Sequence, residues 1–229
     1  MAEPAPLDVD AVLFDLDGTL ADTAGDLSRA VNRVRADRGL GPVDEGIVRP
    51  HASSGARGML LAGMGVTHED PAYASLRDAF LLHYEACLAD TTALFDDVGA
   101  LLEAIEARGL EWGVVTNKAS RFTLPVLAAL KLDTRAGTIV SGDTTPHPKP
   151  HPEPLLHAAR ALRIPPQRCV YVGDDLRDIN AGIAAGMPTI VARWGYIGVG
   201  VPHERWPATG GADLPLDVLR WLPPGTPTR

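Results

Sequence analysis

Short apolar runs rich in β-branched and aromatic residues recur along the chain, and each stops abruptly at a polar cluster. Val9 to Phe14 (VDAVLF) ends at Asp15 and then Gly18; Trp112 to Val115 (WGVV) ends at Thr116-Asn117-Lys118; Cys169 to Val172 (CVYV) ends at Gly173-Asp174-Asp175. Such runs predict buried strands followed by turns. Thr138 to Ser141 (TIVS) and Thr189 to Ala192 (TIVA) are weaker examples. Between them lie stretches of helical period: Val98 to Arg108, stopped by Gly109, then Arg121 to Leu130, Pro154 to Leu162, and Asp178 to Ala185, stopped by Gly186 and Pro188. This alternation predicts an α/β fold, a Rossmann-like parallel sheet whose strands are joined by crossover helices.

Residues 24–91 break that rhythm. They hold helical patterns, among them Asp26 to Arg38 and Pro71 to Leu88, and no convincing strand. The reading is an inserted helical cap domain over 24–91, with the catalytic core made of 1–23 and 92–229. An insertion directly after the first strand stands over the carboxyl ends of the strands, where open α/β sheets bind ligands. Gly25 and the residues from Ala89 to Thr92 bracket it and are the expected hinges. The Pro-rich ends, 1–6 and 223–229, read as frayed.

Composition narrows the class. At 229 residues, with 45% hydrophobic and 22% charged positions, the chain can bury a real core. No long run free of charge marks a membrane span, and the first ten residues carry acids and prolines in place of a basic, then apolar, leader. A soluble, cytoplasmic protein is expected, monomer or homodimer. Cys87 and Cys169, the two cysteines, lie in apolar stretches and read as buried, reduced thiols. A net charge of −8 argues against nucleic acid or anionic membrane as a partner, but not against a small anionic substrate held beside a bound cation.

The polar residues at the strand ends carry the chemistry. Asp15-Leu16-Asp17-Gly18-Thr19, Thr116-Asn117-Lys118, Lys149-Pro150 and Gly173-Asp174-Asp175 would face one crevice. Converging carboxylates with no arginine among them repel one another, and the usual relief is a hard cation such as Mg²⁺. Lys149 and a threonine in the same crevice could grip a phosphoryl group from the other side. An aspartate there can attack phosphorus, and a second carboxyl two residues on can move protons for each half-reaction. Two of the chain's three lysines, Lys118 and Lys149, fall in these motifs, whereas positive charge elsewhere is mostly arginine.

The order DLDGT (Asp15 to Thr19), VVTNK (Val114 to Lys118), KPHPEPL (Lys149 to Leu155) and VGDDLRDI (Val172 to Ile179) resembles the haloacid dehalogenase-like superfamily of Mg²⁺ phosphatases, in particular its phosphoglycolate phosphatase group with a helical cap. The resemblance runs from about Val9 to about Leu222. It implies Asp15 as nucleophile and Asp17 as general acid/base, with the Asp17 backbone carbonyl, Asp15 and Asp174 on the metal. It implies Thr116 and Asn117 on the phosphoryl oxygens, Lys149 neutralising charge on Asp15 and phosphate, and Asp175 and Asp178 supporting the metal waters or Lys149. Gly18 fits a sharp turn whose N–H approaches the phosphate.

Asp17 argues for phosphate chemistry over dehalogenation, since the dehalogenases resembling this fold lack it; a phosphosugar mutase is the alternative on the same motifs. The cap segment Arg49 to Gly58, with Ser53, Ser54 and Arg57, is expected to reach over the phosphate, and Arg57, Arg49 or Arg121 to pair with a substrate carboxylate. His51 reads as a loop residue, and Trp194 and Tyr196 receive no role. SSGARGML, EWGVVTNK with Arg121-Phe122, and VARWGYIG look like the branch acting on N-acetylmuramic acid 6-phosphate. The expected substrate is a small carboxylate-bearing phosphomonoester, 2-phosphoglycolate first and the amino-sugar phosphate second.

Overall fold

A computed structural model of the chain describes residues 5–225. The proline-rich ends therefore lie mostly outside the described residues. The chain begins with β1 (Ala11–Phe14), leaves the sheet through β2 (Ala21–Asp22), and runs through α1 (Ala24–Ala36), α2 (Glu45–Val48), a 3₁₀ turn at Arg49–Ser54, α3 (Gly55–Met64) and α4 (Tyr73–Glu85). It returns through β3 (Ala93–Leu94). The remainder alternates: α5 (Val98–Ala107), β4 (Glu111–Val115), α6 (Ser120–Ala129), β5 (Thr138–Val140), α7 (Glu153–Leu162), β6 (Cys169–Gly173), α8 (Leu176–Ala184), β7 (Thr189–Ala192) and β8 (Gly210–Ala212).

Six strands form one parallel sheet in the order β5-β4-β1-β6-β7-β8. Both faces are covered, which is why the strands read as continuous apolar runs without alternation. Val12, Phe14, Trp112, Val114 and Val170 face α5 and α6 through Leu101, Ile105, Val126 and Leu127. Ala11, Leu13, Val115 and Tyr171 face α7 and α8 through Leu155, Ala158 and Ala181. The chain builds outward from β1 on one side, then crosses to β6 on the other. The switch falls beside β1, and the crevice of a doubly wound sheet opens there.

The strands and helices expected from periodicity are present to within a few residues. Three short strands were not expected. β2 and β3 pair antiparallel over two residues each, and β8 is Gly210-Gly211-Ala212; such segments carry no readable period. α1 starts at Ala24, ahead of Asp26, because the Tyr196 hydroxyl accepts from Thr23 N (2.7 Å) and Ala24 N (3.0 Å) and so caps it. Tyr196 thereby ties the segment after β7 to the first cap helix. His51 sits within the 3₁₀ turn, not in an open loop. Cys87 and Cys169 are free and buried, and no helix among the described residues is long and apolar enough to cross a membrane.

α1 to α4 pack on a core of their own, including Leu27, Val31, Met59, Leu60, Leu76 and Phe80, to which Phe122 and Tyr196 from outside the insertion contribute. The outgoing and returning crossings are held together by one carboxylate. Asp26, fully buried, accepts from Thr91 N (3.0 Å) and Oγ1 (2.6 Å) and from Thr92 N (3.1 Å) and Oγ1 (2.7 Å). Charge-assisted bonds of this kind are strong, and removing their acceptor leaves buried donors unpaired. Asp26→Ala is expected to cost about 3 kcal/mol of stability in urea denaturation, most of it from the stranded donors.

Candidate active site

The sheet register brings the motifs level. Phe14 pairs with Val114 on one side and Val172 on the other, so Asp15, Thr116 and Asp174 emerge together at the carboxyl edge. Asp15, Asp174 and Asp178 each present a carboxylate oxygen within 4.8 Å of the others, and all three residues are buried. Asp178 comes from the first turn of α8, where Asp175 caps the helix by accepting from Arg177 N (2.9 Å). The two aspartates share a capping box, since Asp178 Oδ2 accepts from Asp175 N (3.1 Å).

Lys149 is the cation in this cluster. Its Nζ lies 2.9 Å from Asp15 Oδ1 and 2.8 Å from Asp178 Oδ1, and donates to Val115 O (2.9 Å) and the Tyr171 hydroxyl (2.7 Å). Burial works against the ammonium, but Asp15 and Asp178 outweigh it and hold its pKa above the usual lysine range. One cation does not balance three carboxylates. Burial, and then the charges of Asp15 and Asp178, push the Asp174 carboxyl well above the usual range, and burial raises Asp178 as well. Asp15 Oδ1 meets the Lys149 ammonium at 2.9 Å and has no other partner among the described residues. The cluster demands more positive charge than the chain supplies.

Asp17 points elsewhere. Its carboxylate meets Lys118 Nζ at 2.9 and 3.0 Å and accepts from Thr23 Oγ1 (2.6 Å). Of the expected metal set, the Asp15 and Asp174 carboxylates converge, joined by Asp178; the Asp17 side chain, expected to move protons while only its backbone carbonyl meets the metal, is paired with Lys118. Lys118 was legible as a motif member but not as the partner of Asp17. Asn117 fixes the Lys149 backbone, donating to Lys149 O and accepting from Lys149 N, both at 2.9 Å. Thr116, also buried, lines the same space.

Above these residues lies a cavity of about 310 Å³ between core and insertion. Its floor includes Asp15, Asp17, Thr116, Asn117, Lys118 and Lys149. Leu27, Phe80, Leu81, Tyr84 and Phe122 form an apolar wall. Ser53 and Ser54 reach it as expected: Ser53 Oγ donates to Asp174 Oδ2 (2.8 Å), and Arg177 Nη2 donates to Ser53 O (2.9 Å) and Ser54 Oγ (3.3 Å). Arg77 and Arg121 also line the cavity, Arg121 with its guanidinium 4.5 Å from the Phe122 ring centroid.

Two expectations for substrate contacts are corrected. Arg57 does not line this cavity; Ser53 to Ala56 occupy that side, and Arg57, further round α3, lines a separate hollow with Leu61, Thr67, His68 and Glu69. Gly18 does make the sharp turn, at φ +85°, but its N–H donates to Ala21 O (3.0 Å), and so is not free for phosphate. The residue must be small because a Cβ would fall 2.1 Å from Asp174 Oδ2. Arg49, another candidate for the carboxylate, is engaged by Asp22 (2.6 Å) and Glu45 (3.3 Å) and covers the Tyr196 ring.

The sequence profile of the haloacid dehalogenase-like hydrolases matches residues 12–192. The chain belongs to this family. One relative, the N-acetylmuramic acid 6-phosphate phosphatase of Pseudomonas aeruginosa, is 45% identical over 212 residues, spanning 93% of this chain and 92% of its own. The phosphoglycolate phosphatase of Xanthomonas campestris pv. campestris is 44% identical over 187 residues, 81% and 84% of the two chains. The crystal structure of a predicted phosphoglycolate phosphatase from Haemophilus somnus superposes with a TM-score of 0.81 at 26% identity, over 93% of this chain and 97% of that one. With relatives of this kind along nearly its whole length, this haloacid dehalogenase-like hydrolase is a phosphatase.

The close approach at Gly18 yields a direct check. Gly18→Ala is expected to lower stability by about 1–3 kcal/mol, from strain at positive φ and displacement of the Asp174 carboxylate. Urea denaturation measures it, and Mn²⁺ binding by isothermal titration should weaken in parallel.

Proposed function

We propose that the chain is a Mg²⁺-dependent phosphomonoesterase that forms an aspartyl-phosphate on Asp15 and acts on a carboxylate-bearing phosphate of sugar size. The observation that carries this reading is the Asp15 carboxylate at the cavity floor, buried beside Asp174 and Asp178, with Lys149 Nζ 2.9 Å from its Oδ1 as the one cation among the described residues facing that oxygen. The carboxylate cluster fits a hard divalent cation: an all-oxygen donor set, close spacing and an uncompensated negative charge. Asp15 and Asp174 would hold it, with Asp178 beside them and the Asp17 backbone carbonyl as the resemblance implies. Bound there, Mg²⁺ supplies neutralisation of the phosphoryl oxygens and of the carboxylates that face them.

In this reading an Asp15 oxygen attacks phosphorus, the new O–P bond forms as the ester O–P bond breaks, and the electron pair leaves with the substrate oxygen. Asp17, in its protonated form, gives that oxygen its proton. A water then attacks the aspartyl-phosphate, surrenders a proton to Asp17 and releases inorganic phosphate, restoring the Asp15 carboxylate. Lys149 faces the charge that develops at Asp15 and on the phosphoryl group, and Thr116 and Asn117 flank it. Lys118 and Thr23 hold Asp17 at the cavity floor. The contacts of Ser53 and Ser54 with Asp174 and Arg177 support a cap that closes over the site and excludes bulk water, moving about the crossings near Gly25 and Ala89 to Thr92.

Cavity size bears on the substrate. A volume of about 310 Å³ lies at the lower end of the range of roughly 300–1,000 Å³ typical of ligand sites. A two-carbon acid phosphate would leave much of it, and most of the apolar wall, unfilled. This favours the amino-sugar phosphate over 2-phosphoglycolate, reversing the order taken from sequence. Arg77 and Arg121, which line the cavity, are the candidates to meet the carboxylate either substrate carries, Arg77 by leaving Asp78 (3.2 Å).

Phosphate release by wild type and Asp15→Asn, with and without Mg²⁺, tests the reading on 2-phosphoglycolate, N-acetylmuramic acid 6-phosphate, glucose 6-phosphate and p-nitrophenyl phosphate. Turnover is expected to need both Mg²⁺ and Asp15, with kcat reduced at least roughly a thousandfold in the variant. N-acetylmuramic acid 6-phosphate is expected to lead. No turnover on any of the four would overturn the reading.

A further inference from the structure

One polar group in the cavity wall has no explanation in the machinery described above. Tyr84, in the last turn of α4, is 2% exposed, and its hydroxyl oxygen faces the Lys118 ammonium while no acceptor meets the hydroxyl proton. Its ring is well accounted for: it stacks against Phe80 (centroids 6.2 Å apart), tilts against Phe122 (5.3 Å) and receives the Lys118 ammonium over its face at 4.8 Å. A phenylalanine would make all of these ring contacts without burying a hydroxyl proton that no acceptor meets, as Phe80 does one turn earlier. Leaving such a group unpaired costs stability, so its presence calls for a partner absent from the protein itself.

The hydroxyl remains a donor. Burial pushes its pKa up to about 12, against the pull of the Lys118 charge. Even with the third Lys118 proton turned toward its oxygen, the hydroxyl's own proton finds no acceptor. Its place is set by Lys118, which spans Asp17 at 2.9 Å and the Tyr84 ring. Tyr84, which lines the cavity, therefore stands across Lys118 from the group assigned above to protonate the leaving oxygen.

We propose that Tyr84 is a specificity-determining residue whose hydroxyl donates to a substrate oxygen carried on the carbon next to the ester carbon, an O–C–C–O relation to the scissile oxygen. This rests on the phosphomonoesterase reading and names the substrate feature that the cap recognises. The ring oxygen of a hexose 6-phosphate stands in that relation, and so does the carboxylate of a 2-phospho acid, so the cap can use one donor for both. The apolar residues around Tyr84 exclude competing water, which makes an unmatched hydroxyl costly and sharpens discrimination against phosphates lacking the oxygen.

The test is Tyr84→Phe, which deletes the hydroxyl and keeps the ring. kcat/KM is measured for wild type and variant on the preferred phosphate of the panel above and on an isosteric pair, 2-methoxyethyl phosphate and butyl phosphate, in which an ether oxygen replaces a methylene. The variant is expected to lower the ratios of the preferred substrate and of the methoxyethyl ester to the butyl ester by roughly five- to tenfold. Its Tm is expected to match or exceed that of wild type. Equal losses on all three esters, unchanged ratios, or a Tm lowered by several degrees would overturn the proposal in favour of a structural hydroxyl. A wild type that cleaves none of them would overturn the phosphomonoesterase reading and this inference with it.

Discussion

The structure turns on an imbalance of charge in a dry place. Three buried carboxylates, from the ends of β1 and β6 and the first turn of α8, face one ammonium, and Lys149 is committed to two of them at 2.9 and 2.8 Å. Like charges this close raise one another's proton affinity, and the cost is met by packing that leaves them no alternative position. Parallel register brings Asp15 level with Gly173 so that Asp174 follows at the same edge, the capping box delivers Asp178, and the Asn117 amide fixes the backbone of Lys149. The fold of the core can be understood as what is needed to hold that arrangement still.

Beside this centre runs a second, separate pairing of opposite charges. Lys118 takes Asp17 away from the carboxylate cluster and presents the rest of its charge to an aromatic ring on the insertion. Two aspartates only two positions apart are thus given different neighbours: Asp15 faces a crowded anionic cluster, and Asp17 a single cation and a hydroxyl. Environments that differ this much let chemically identical side chains take different parts in one reaction.

The core was legible because its strands are buried on both faces and end in polar clusters, a pattern that survives in sequence as apolar runs with sharp stops. Asp15, Asp174, Lys149 and Thr116 could be placed in one crevice on that basis alone. What comes from the insertion was not legible in the same way. Tyr84 and Arg77 lie on α4, whose apolar pattern reads as an ordinary packed helix, and nothing local says that one side of it roofs a cavity. Arg57 failed for the complementary reason: sequence proximity to Ser53 and Ser54 does not fix which way a side chain leaves a helix, and one residue past Ala56 the surface of α3 has already turned away. β2, β3 and β8 are too short to show any period.

Asp26 has a mechanical meaning beyond its contribution to stability. By binding Thr91 and Thr92 from within α1, it fuses the outgoing and returning strands on the side of the insertion, just as the β2 and β3 pairing joins them on the side of the sheet. Two crossings so joined at both ends behave as a single strip, with Thr23 to Gly25 left between the fastenings on the outgoing side and nothing on the return, where Thr92 adjoins Ala93. In the closure proposed above, a strip of that kind would flex about one axis and resist twisting, so that Ser53 and Tyr84, far apart along the insertion, would swing together.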